Sequence, residues 1–361
     1  MTIPSKSSAG RGKCDALPGS CGGFRRSAIA RGLLLACCGP VFCGQALAQS
    51  GAAQELDLTV VESESIERDA VVDVITTQDI NARQVDNTDD LIRYIPGVSV
   101  SRGDDRWGAS GFNIRGLDED RVAINVDGVP QGETLKDEGG QAYGYFKGSR
   151  NGIDIEALKS VEVVKGADAL FSGSGALAGA VNMTTKDPDD FLAPEGDDGG
   201  GMLKVGYATD SNEARASGSI ANRVGRLESL LIYTYRQGHE YENYHMRGAD
   251  ITGAGREVPD PQDRKLDSVL AKLIYQISPN QEIGFTGTYF DRNTETAAKS
   301  FDGGWYSGRV GDDTNTVKRY TLFYTLEQQT PVFDTFEASI NRQEIELEAI
   351  TRQRATFSIP P

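Results

Sequence analysis

The sequence predicts an α+β domain followed by antiparallel strands of a transmembrane β-barrel. Residues 65–198 mix one helix-forming segment with short strand-like runs, whereas residues 199–361 alternate apolar and polar residues over long stretches. Aromatic residues also recur near the ends of the long runs, as in the aromatic girdles of outer-membrane barrels. Residues 1–48 differ from both parts in composition.

Residues 1–48 have the composition of an export signal. They contain six Lys or Arg residues and one acid, an apolar run at Gly32–Gly44 and an Ala-x-Ala motif that ends at Ala48. A basic start, an apolar stretch and a small-residue cleavage site define a secretory signal peptide, so we predict cleavage after Ala48. Two alternatives are weaker: a lipoprotein box at Cys37 leaves a short apolar run, and Arg25–Arg26 could begin a twin-arginine signal.

The cysteines and the net charge constrain the exported chain. All five Cys residues lie in the predicted signal peptide, so the mature chain would have no disulfide and no cysteine metal site. The signal peptide carries six positive charges and one negative, so the formal net charge of −16 would become −21 after cleavage. This acidity argues against nucleic acid and anionic membrane surfaces as partners. No apolar run long enough for a membrane helix follows the signal.

The α+β part, residues 65–198, contains one helix signal and several short strand signals. Thr88–Val98 begins with acids, places apolar residues at helical spacing and ends at Pro-Gly, which predicts a short helix. Residues 111–116, 121–130 and 155–166 each alternate over four to six positions and end at Gly or Pro, as short strands do. A segment of roughly 130 residues is large enough for one modest core.

Seven long alternating runs follow, and their turns differ in length by side. The predicted strands are Met202–Ala208, Ala214–Ala221, Glu228–Gln237, Asp267–Ile277, Glu282–Asp291, Val317–Glu327 and Phe333 to about Arg354. After the first hairpin, tight turns alternate with long connections at His239–Leu266 and Arg292–Thr316. Short periplasmic turns and long outer loops alternate in this way in outer-membrane barrels, which favours a barrel over a secreted sandwich.

Seven strands cannot close a barrel around a domain of this size. Eight-stranded barrels have interiors filled by side chains, and plugged lumens occur in barrels of about 22 strands. We therefore expect the sequence to be the front part of a longer protein, with further strands beyond Pro361.

Several motifs resemble one receptor superfamily. "DDLIRYIPGVSV", "FNIRGLDEDRVAINVDGVPQGE" and "IEALKSVEVVKGADALFSGSGALAGAVNMTTKDP" look like the plug of TonB-dependent outer-membrane receptors. Within that superfamily they resemble the haemoglobin, transferrin and lactoferrin receptor branch. The resemblance implies a plug at residues 65–198 and the first strands of a 22-stranded plugged barrel at residues 199–361. It also implies a Gram-negative outer-membrane location and contact with outer-membrane lipid.

The resemblance also implies an energy-coupling segment at residues 49–64. The short β-branched run Leu56, Asp57, Leu58, Thr59, Val60 and Val61 lies close to the predicted mature N-terminus. It is similar to a TonB box, which would add as a strand to the periplasmic energy transducer TonB. A plain first strand is the alternative reading of this run.

Charged turns surround the short strand in Asn113–Glu133. A plug inside a water-lined barrel can use such charges to dock against polar lumen side chains, although ordinary solvated turns would contain them too. The predicted docking residues are Arg115, Arg121, Asp118, Glu119 and Asp127. Gly116 and Gly128 suit the tight turns.

The resemblance further implies haem or iron as the transported ligand, taken from an extracellular haem- or iron-carrying protein, with no intrinsic cofactor and no metal site. Aromatic residues in a Gly-rich apical loop and two loop histidines are candidates for substrate contact. These candidates are Tyr143, Tyr145, Phe146, His239 and His245.

Other functional classes fit the sequence less well. "GSGALAG", Gly173–Gly179, does not have the spacing of a dinucleotide fingerprint, and a strand pattern follows it where the fingerprint needs a helix. We therefore expect that the protein is not an enzyme. A passive porin would need neither a plug nor a TonB box. A siderophore receptor of the same superfamily, or a non-functional truncated receptor, remain the alternatives.

Overall fold

The computed structural model describes residues 71–102, 109–132, 136–137, 146–147, 150, 152–242, 248, 250–303, 306–328 and 333–355, with the side chains of a few terminal strand residues excepted. All of these residues belong to one compact unit. The predicted signal peptide, the predicted TonB box, Tyr143, Tyr145 and His245 lie outside the described residues.

The first part of the described chain, which we call the plug, is a small α+β domain. Its elements are β1 (Val71–Thr76), α1 (Thr77–Ala82), α2 (Thr88–Ile92), β2 (Val98–Arg102), β3 (Ala109–Ile114), β4 (Val122–Val126), β5 (Val129–Pro130), β6 (Lys136–Asp137), β7 (Phe146–Lys147), β8 (Leu158–Lys165), α3 (Ala169–Ser172) and β9 (Gly179–Thr185). Short 3-10 turns at Glu119–Arg121, Ile155–Ala157 and Pro188–Asp190 connect some of them.

Local capping explains where the plug helices begin. The side chain of Thr76 accepts a hydrogen bond from the Asp79 amide at 3.3 Å, and Asp79 accepts one from the Thr76 amide at 3.0 Å, which forms a capping box for α1. The Asn87 side chain caps α2 by accepting from the Asp90 amide at 2.9 Å. The helix predicted at Thr88–Val98 is thereby confirmed, although it is shorter than its signal.

The plug core is a five-stranded mixed sheet in the order β1-β8-β9-β4-β5. Only the β4–β9 pairing is parallel among these neighbours. All five residues of β4 are buried, and the side-chain amide nitrogen of its polar Asn125 donates to Asn182 Oδ1 at 2.8 Å and to the Ser172 carbonyl at 3.1 Å. The turns predicted at Gly116 and Gly128 are present, since both glycines adopt positive φ angles, of 86° and 74°.

The second part, which we call the wall, is a seven-stranded antiparallel sheet in sequential order. Its strands are β10 (Asp198–Ala208), β11 (Glu213–Val224), β12 (Leu227–His239), β13 (Gln262–Ser278), β14 (Gln281–Ala297), β15 (Tyr306–Glu327) and β16 (Thr335–Ala355), with a 3-10 turn at Lys299–Phe301. All seven predicted strands are therefore confirmed, and with them the fold class.

One predicted connection was wrong. The expected long loop at Arg292–Thr316 is mostly strand, because β14 continues to Ala297 and β15 begins at Tyr306. In this region both faces of the strands are polar, so the alternation that marks a strand with one apolar face disappears although the pairing continues. With 22 residues, β15 is about twice as long as the 9–11 residues that cross a bilayer.

The outer face of the wall is apolar and exposed. Leu203 and Ile340 are 79% and 74% exposed, and Leu231 and Leu322 are also exposed. Soluble monomers rarely expose an apolar surface of this extent, whereas a lipid bilayer covers one. Within the described residues, no helix is both long and apolar enough to cross a bilayer.

Candidate functional site

The inner face of the wall is polar and lies against the plug. In β12, Glu228, Ile232, Thr234 and Arg236 are buried, whereas Leu231 between them is exposed on the other face. Because successive side chains of a strand point to opposite faces, the same strands present lipid-type residues outward and charged residues inward. The inward bases that contact plug acids are Lys204, Arg215, Arg223, Arg236 and Lys272.

The most buried of these contacts centres on Arg236 of β12. Its guanidinium lies 3.1 Å from Asp154 Oδ1 of the plug, and these side chains are 9% and 2% exposed. Arg236 also donates to the Asp86 backbone carbonyl at 2.6 Å and lies 3.5 Å from Glu213 of the wall. The neighbouring Arg215 pairs with the Asp86 carboxylate. Two arginines of the wall thus hold two acids of the plug.

A second contact joins β10 to the turn before β8. Lys204 Nζ lies 2.8 and 3.0 Å from the two carboxylate oxygens of Glu156, which is 3% exposed. Lys186 of the plug donates to the Glu156 backbone carbonyl at 2.7 Å. Burial lowers the pKa of Lys186, and the attraction of Glu156 opposes that shift. The ion pair and the neighbouring Lys186 are therefore shielded from bulk water.

A third contact lies where the plug joins the wall. Asp187 accepts from Lys272 of β13 at 2.8 Å and from Lys159 of β8 at 3.2 Å. Burial raises the pKa of Asp187, but the two lysines outweigh it and hold the pKa below its usual value. Arg223 of β11 pairs with Asp189 at 2.5 Å and with Glu228 at 2.7 Å.

Apolar and amide contacts complete the interface. Ala157 and Leu192 pack with Leu230, Ile232 and Leu270 of the wall. On the β15 side, Arg319 donates to the side-chain carbonyl of plug Gln131 at 2.9 Å. Gly152 lies so close to the wall that a Cβ atom there would meet Val317 Cγ2 at 2.4 Å. The plug therefore fits the wall by shape as well as by charge.

The predicted docking residues lie in turns that the plug uses internally. Arg121 pairs with Asp118 at 2.9 Å, and Asp127 accepts from the Thr185 amide at 2.8 Å and the Thr185 hydroxyl at 2.7 Å. Arg115 has a positive φ angle of 52°, and its amide donates to the Gly97 carbonyl at 2.8 Å. The Glu119 carbonyl accepts from buried Arg150 at 2.7 Å. Docking of these residues to lumen side chains stays a prediction.

The candidate substrate residues are placed only in part. Phe146 lies in β7. His239 ends β12, where its Nδ1 lies 3.1 Å from Asp263 and both side chains are exposed. Tyr143, Tyr145 and His245 lie outside the described residues, and the substrate role of all five stays a prediction.

Sequence reasoning missed the acids that do contact the wall, namely Asp86, Asp154, Glu156, Asp187 and Asp189. Their partners were recognisable, because a Lys or Arg at an inward position of an alternating strand has no lipid-facing role. The pairing was not recognisable, since partners such as Asp154 and Arg236 are 82 residues apart in the chain.

Comparison with known proteins agrees with this architecture. Residues 64–180 match the family model of the TonB-dependent receptor plug domain. The chain is 35% identical over 296 residues to hemoglobin-binding protein A of Haemophilus influenzae, covering 77% of this chain and 29% of the relative. It is also 35% identical over 286 residues to the hemoglobin and hemoglobin-haptoglobin-binding protein of Haemophilus ducreyi, with 75% and 29% covered. The chain thus spans under a third of the length of these relatives.

Solved structures share the fold. A double mutant of the Serratia marcescens hemophore receptor HasR, in complex with its hemophore HasA and heme, matches with a TM-score of 0.60 and 24% identity, over 78% of this chain and 39% of that one. The FrpB iron transporter from Neisseria meningitidis matches with a TM-score of 0.60 and 19% identity, over 77% and 41%. The chain carries a plug domain of the TonB-dependent receptors, and the seven consecutive antiparallel strands of the wall follow it.

Proposed function

We propose that this chain is part of an outer-membrane receptor that imports haem, or iron taken from haem- or iron-carrying proteins, with energy delivered through TonB. The observation that carries the proposal is a polar plug held by ion pairs against the inner face of a wall whose outer face is apolar. The relatives supply the cargo class, since they are named for binding haemoglobin or haemoglobin–haptoglobin and share sequence with plug and wall alike.

Such an interface suits transport better than catalysis. Polar contacts between plug and wall can exchange with water when the plug moves, whereas an apolar interface of the same extent would resist opening. The receptor would therefore act as a gated path for a bound cargo and not as an enzyme.

The plug offers a place where a pull from the periplasm can act. The predicted TonB box precedes β1 by nine residues. Among the described strands, β1 lies at the edge of the plug sheet and pairs with β8 alone, and Ile75 is its one buried residue. Force applied at the predicted box would therefore load β1 before the central strands.

The test compares haemoglobin binding at the cell surface with uptake, in cells that express the full receptor from its own gene. Disruption of the gene should abolish growth on haemoglobin as the iron source, and growth on transferrin or free haem then assigns the cargo. Leu58→Pro should abolish uptake and leave haemoglobin binding at the cell surface, because proline removes a backbone donor needed for strand pairing with TonB. Leu58→Val is the control and should transport normally. Uptake that survives Leu58→Pro would contradict energy coupling through this segment.

A further inference from the structure

Two arginines face each other on adjacent strands of the wall. Arg215 of β11 and Arg236 of β12 are direct cross-strand partners. Both side chains point inward and are 12% and 9% exposed. Like charges directly opposite each other on one face of a sheet are destabilising, so this pair requires anions beside it.

The wall provides less negative charge here than the arginines need. Glu213 lies 3.5 Å from Arg236 but also 3.9 Å from Arg264, so one wall carboxylate serves two guanidiniums. The remaining neutralisation comes from the plug, through Asp86 on Arg215 and Asp154 on Arg236. When the plug moves, the wall retains the positive charge and loses its counter-charge.

The other ion pairs across the interface have the same arrangement of acid and base. In the part of the chain that the structure describes, the ion pairs between plug and wall place the acid on the plug and the base on the wall. Ion pairs buried in this way contribute little net stability, because removing both charges from water costs about as much as their attraction returns. The consistent polarity means that the wall presents a group of basic side chains whenever the acids of the plug move away.

We propose that Arg215 and Arg236 form a carboxylate clamp, which plug Asp86 and Asp154 occupy at rest and the carboxylates of an anionic cargo occupy during import. A guanidinium binds a carboxylate through two parallel hydrogen bonds, so two adjacent guanidiniums suit a cargo that carries two carboxylates. This inference rests on the proposed function, because haem has two propionate groups on one edge. The cargo replaces the plug acids on the same donors, and the opening of the plug creates the site.

The experiment compares haem with its dimethyl ester, which has the same ring and iron but no carboxylates. Uptake of both compounds is measured in cells whose only route for porphyrin uptake is the full receptor, expressed from its own gene. Wild type should take up haem about tenfold faster than the ester or more, since charge-assisted hydrogen bonds are lost with the carboxylates. The double variant Arg215→Gln, Arg236→Gln should reduce this ratio to about one.

A matched control separates the clamp from docking. Lys204→Gln breaks a plug–wall ion pair on the neighbouring strand and should change uptake of both porphyrins equally, leaving their ratio as in wild type. Binding of haemoglobin at the cell surface verifies that each variant is folded and exported. If the double variant fails this check, Arg236→Gln alone is used, and the ratio should fall part of the way to one, because Arg215 can still bind one carboxylate; an unchanged ratio would overturn the clamp.

The outcomes distinguish the two proposals. Equal uptake of haem and ester by wild type, or a ratio retained in the double variant, overturns the clamp and leaves haem import standing. Uptake of neither compound by wild type overturns the clamp and the haem part of the proposed function, and growth on transferrin then tests the remaining part, import of iron from an iron-carrying protein.

Discussion

At the scale of single residues, the plug and the wall meet through buried ion pairs, and removing only one partner of such a pair is strongly destabilising. Asp154 is 2% exposed and Arg236 9%, so loss of either partner would leave the other charge buried without its counterpart. Breaking such a pair typically costs about 3–5 kcal/mol, far more than the pair contributes to stability. The exposed pair Arg121–Asp118 is different, because water already screens it and its contribution is about 0–1 kcal/mol.

Gly152 tests the fit of shape. The Cβ of Gly152→Ala would lie 2.4 Å from Val317 Cγ2, so the plug must shift or Val317 must leave its rotamer. Overpacking of this kind costs about 1–3 kcal/mol, which should appear as a lower urea midpoint of the receptor in detergent. Val317→Ala in the same chain should recover part of the loss, because it removes the closest methyl group while the two Cβ atoms would still lie 3.2 Å apart. Gly218→Ala is the control, since its Cβ would meet nothing within 4 Å, and an equal loss there would contradict the steric explanation.

Asp187 tests the fit of charge through its pH dependence. Burial raises its pKa, but Lys272 and Lys159 hold the pKa below the usual 3.8. The folded state therefore favours the carboxylate, and this contribution is complete above 3.8 and is lost as the pH falls through the folded pKa. Asp187→Asn should lower the urea midpoint at neutral pH, and the difference from wild type should shrink at pH values below 3.8. Asp187→Glu, which keeps the charge, should follow wild type. A difference independent of pH would contradict the assignment.

At the scale of elements, the proposed function makes the edge strand β1 the first part of the plug to be loaded. Val74 and Glu162 are cross-strand partners on β1 and β8, and Val74 is 59% exposed. A disulfide between Val74→Cys and Glu162→Cys would hold β1 in the sheet. We expect it to stop haem uptake, to leave haemoglobin binding intact and to restore uptake after reduction. Each single cysteine variant is the control, and uptake through the oxidised double variant would show that β1 stays in place during transport.

The elements also show what the sequence could and could not predict. The wall strands were predictable because one face meets lipid, and the alternation of Leu, Tyr and Phe with polar residues records that contact. The C-terminal end of β14 and the N-terminal end of β15 were not predictable from the sequence, because Asn293 and Thr314 lie where both faces of these strands are polar. The docking acids were missed for another reason: Asp154 and Glu156 resemble any charged turn, and their partners lie 82 and 48 residues further along the chain.

At the scale of the whole molecule, the wall sorts its residues by environment in two directions, from inside to outside and along the strands. Leu231 lies on the outer face beside Ala271, within the apolar band, and is 47% exposed. Glu295 lies on the same outer face but beyond the aromatic Tyr289, where neighbouring outward residues are polar. The apolar band that contains Leu231 and ends before Glu295 is the part of the wall that a bilayer would cover.

A lysine placed at each level tests that boundary. Leu231→Lys should destabilise the folded receptor in lipid bilayers by about 2–4 kcal/mol, because the hydrocarbon does not solvate the ammonium group. Glu295→Lys should cost about 0–1 kcal/mol, since that position would lie near or above the interface. The measurement is urea unfolding in vesicles, repeated in detergent micelles as the control for effects on the sheet itself. The same large cost at both positions would place Glu295 in the hydrocarbon and extend the membrane-covered band along the strands. A small cost at both would mean that the exposed apolar face of the wall is covered by something other than lipid.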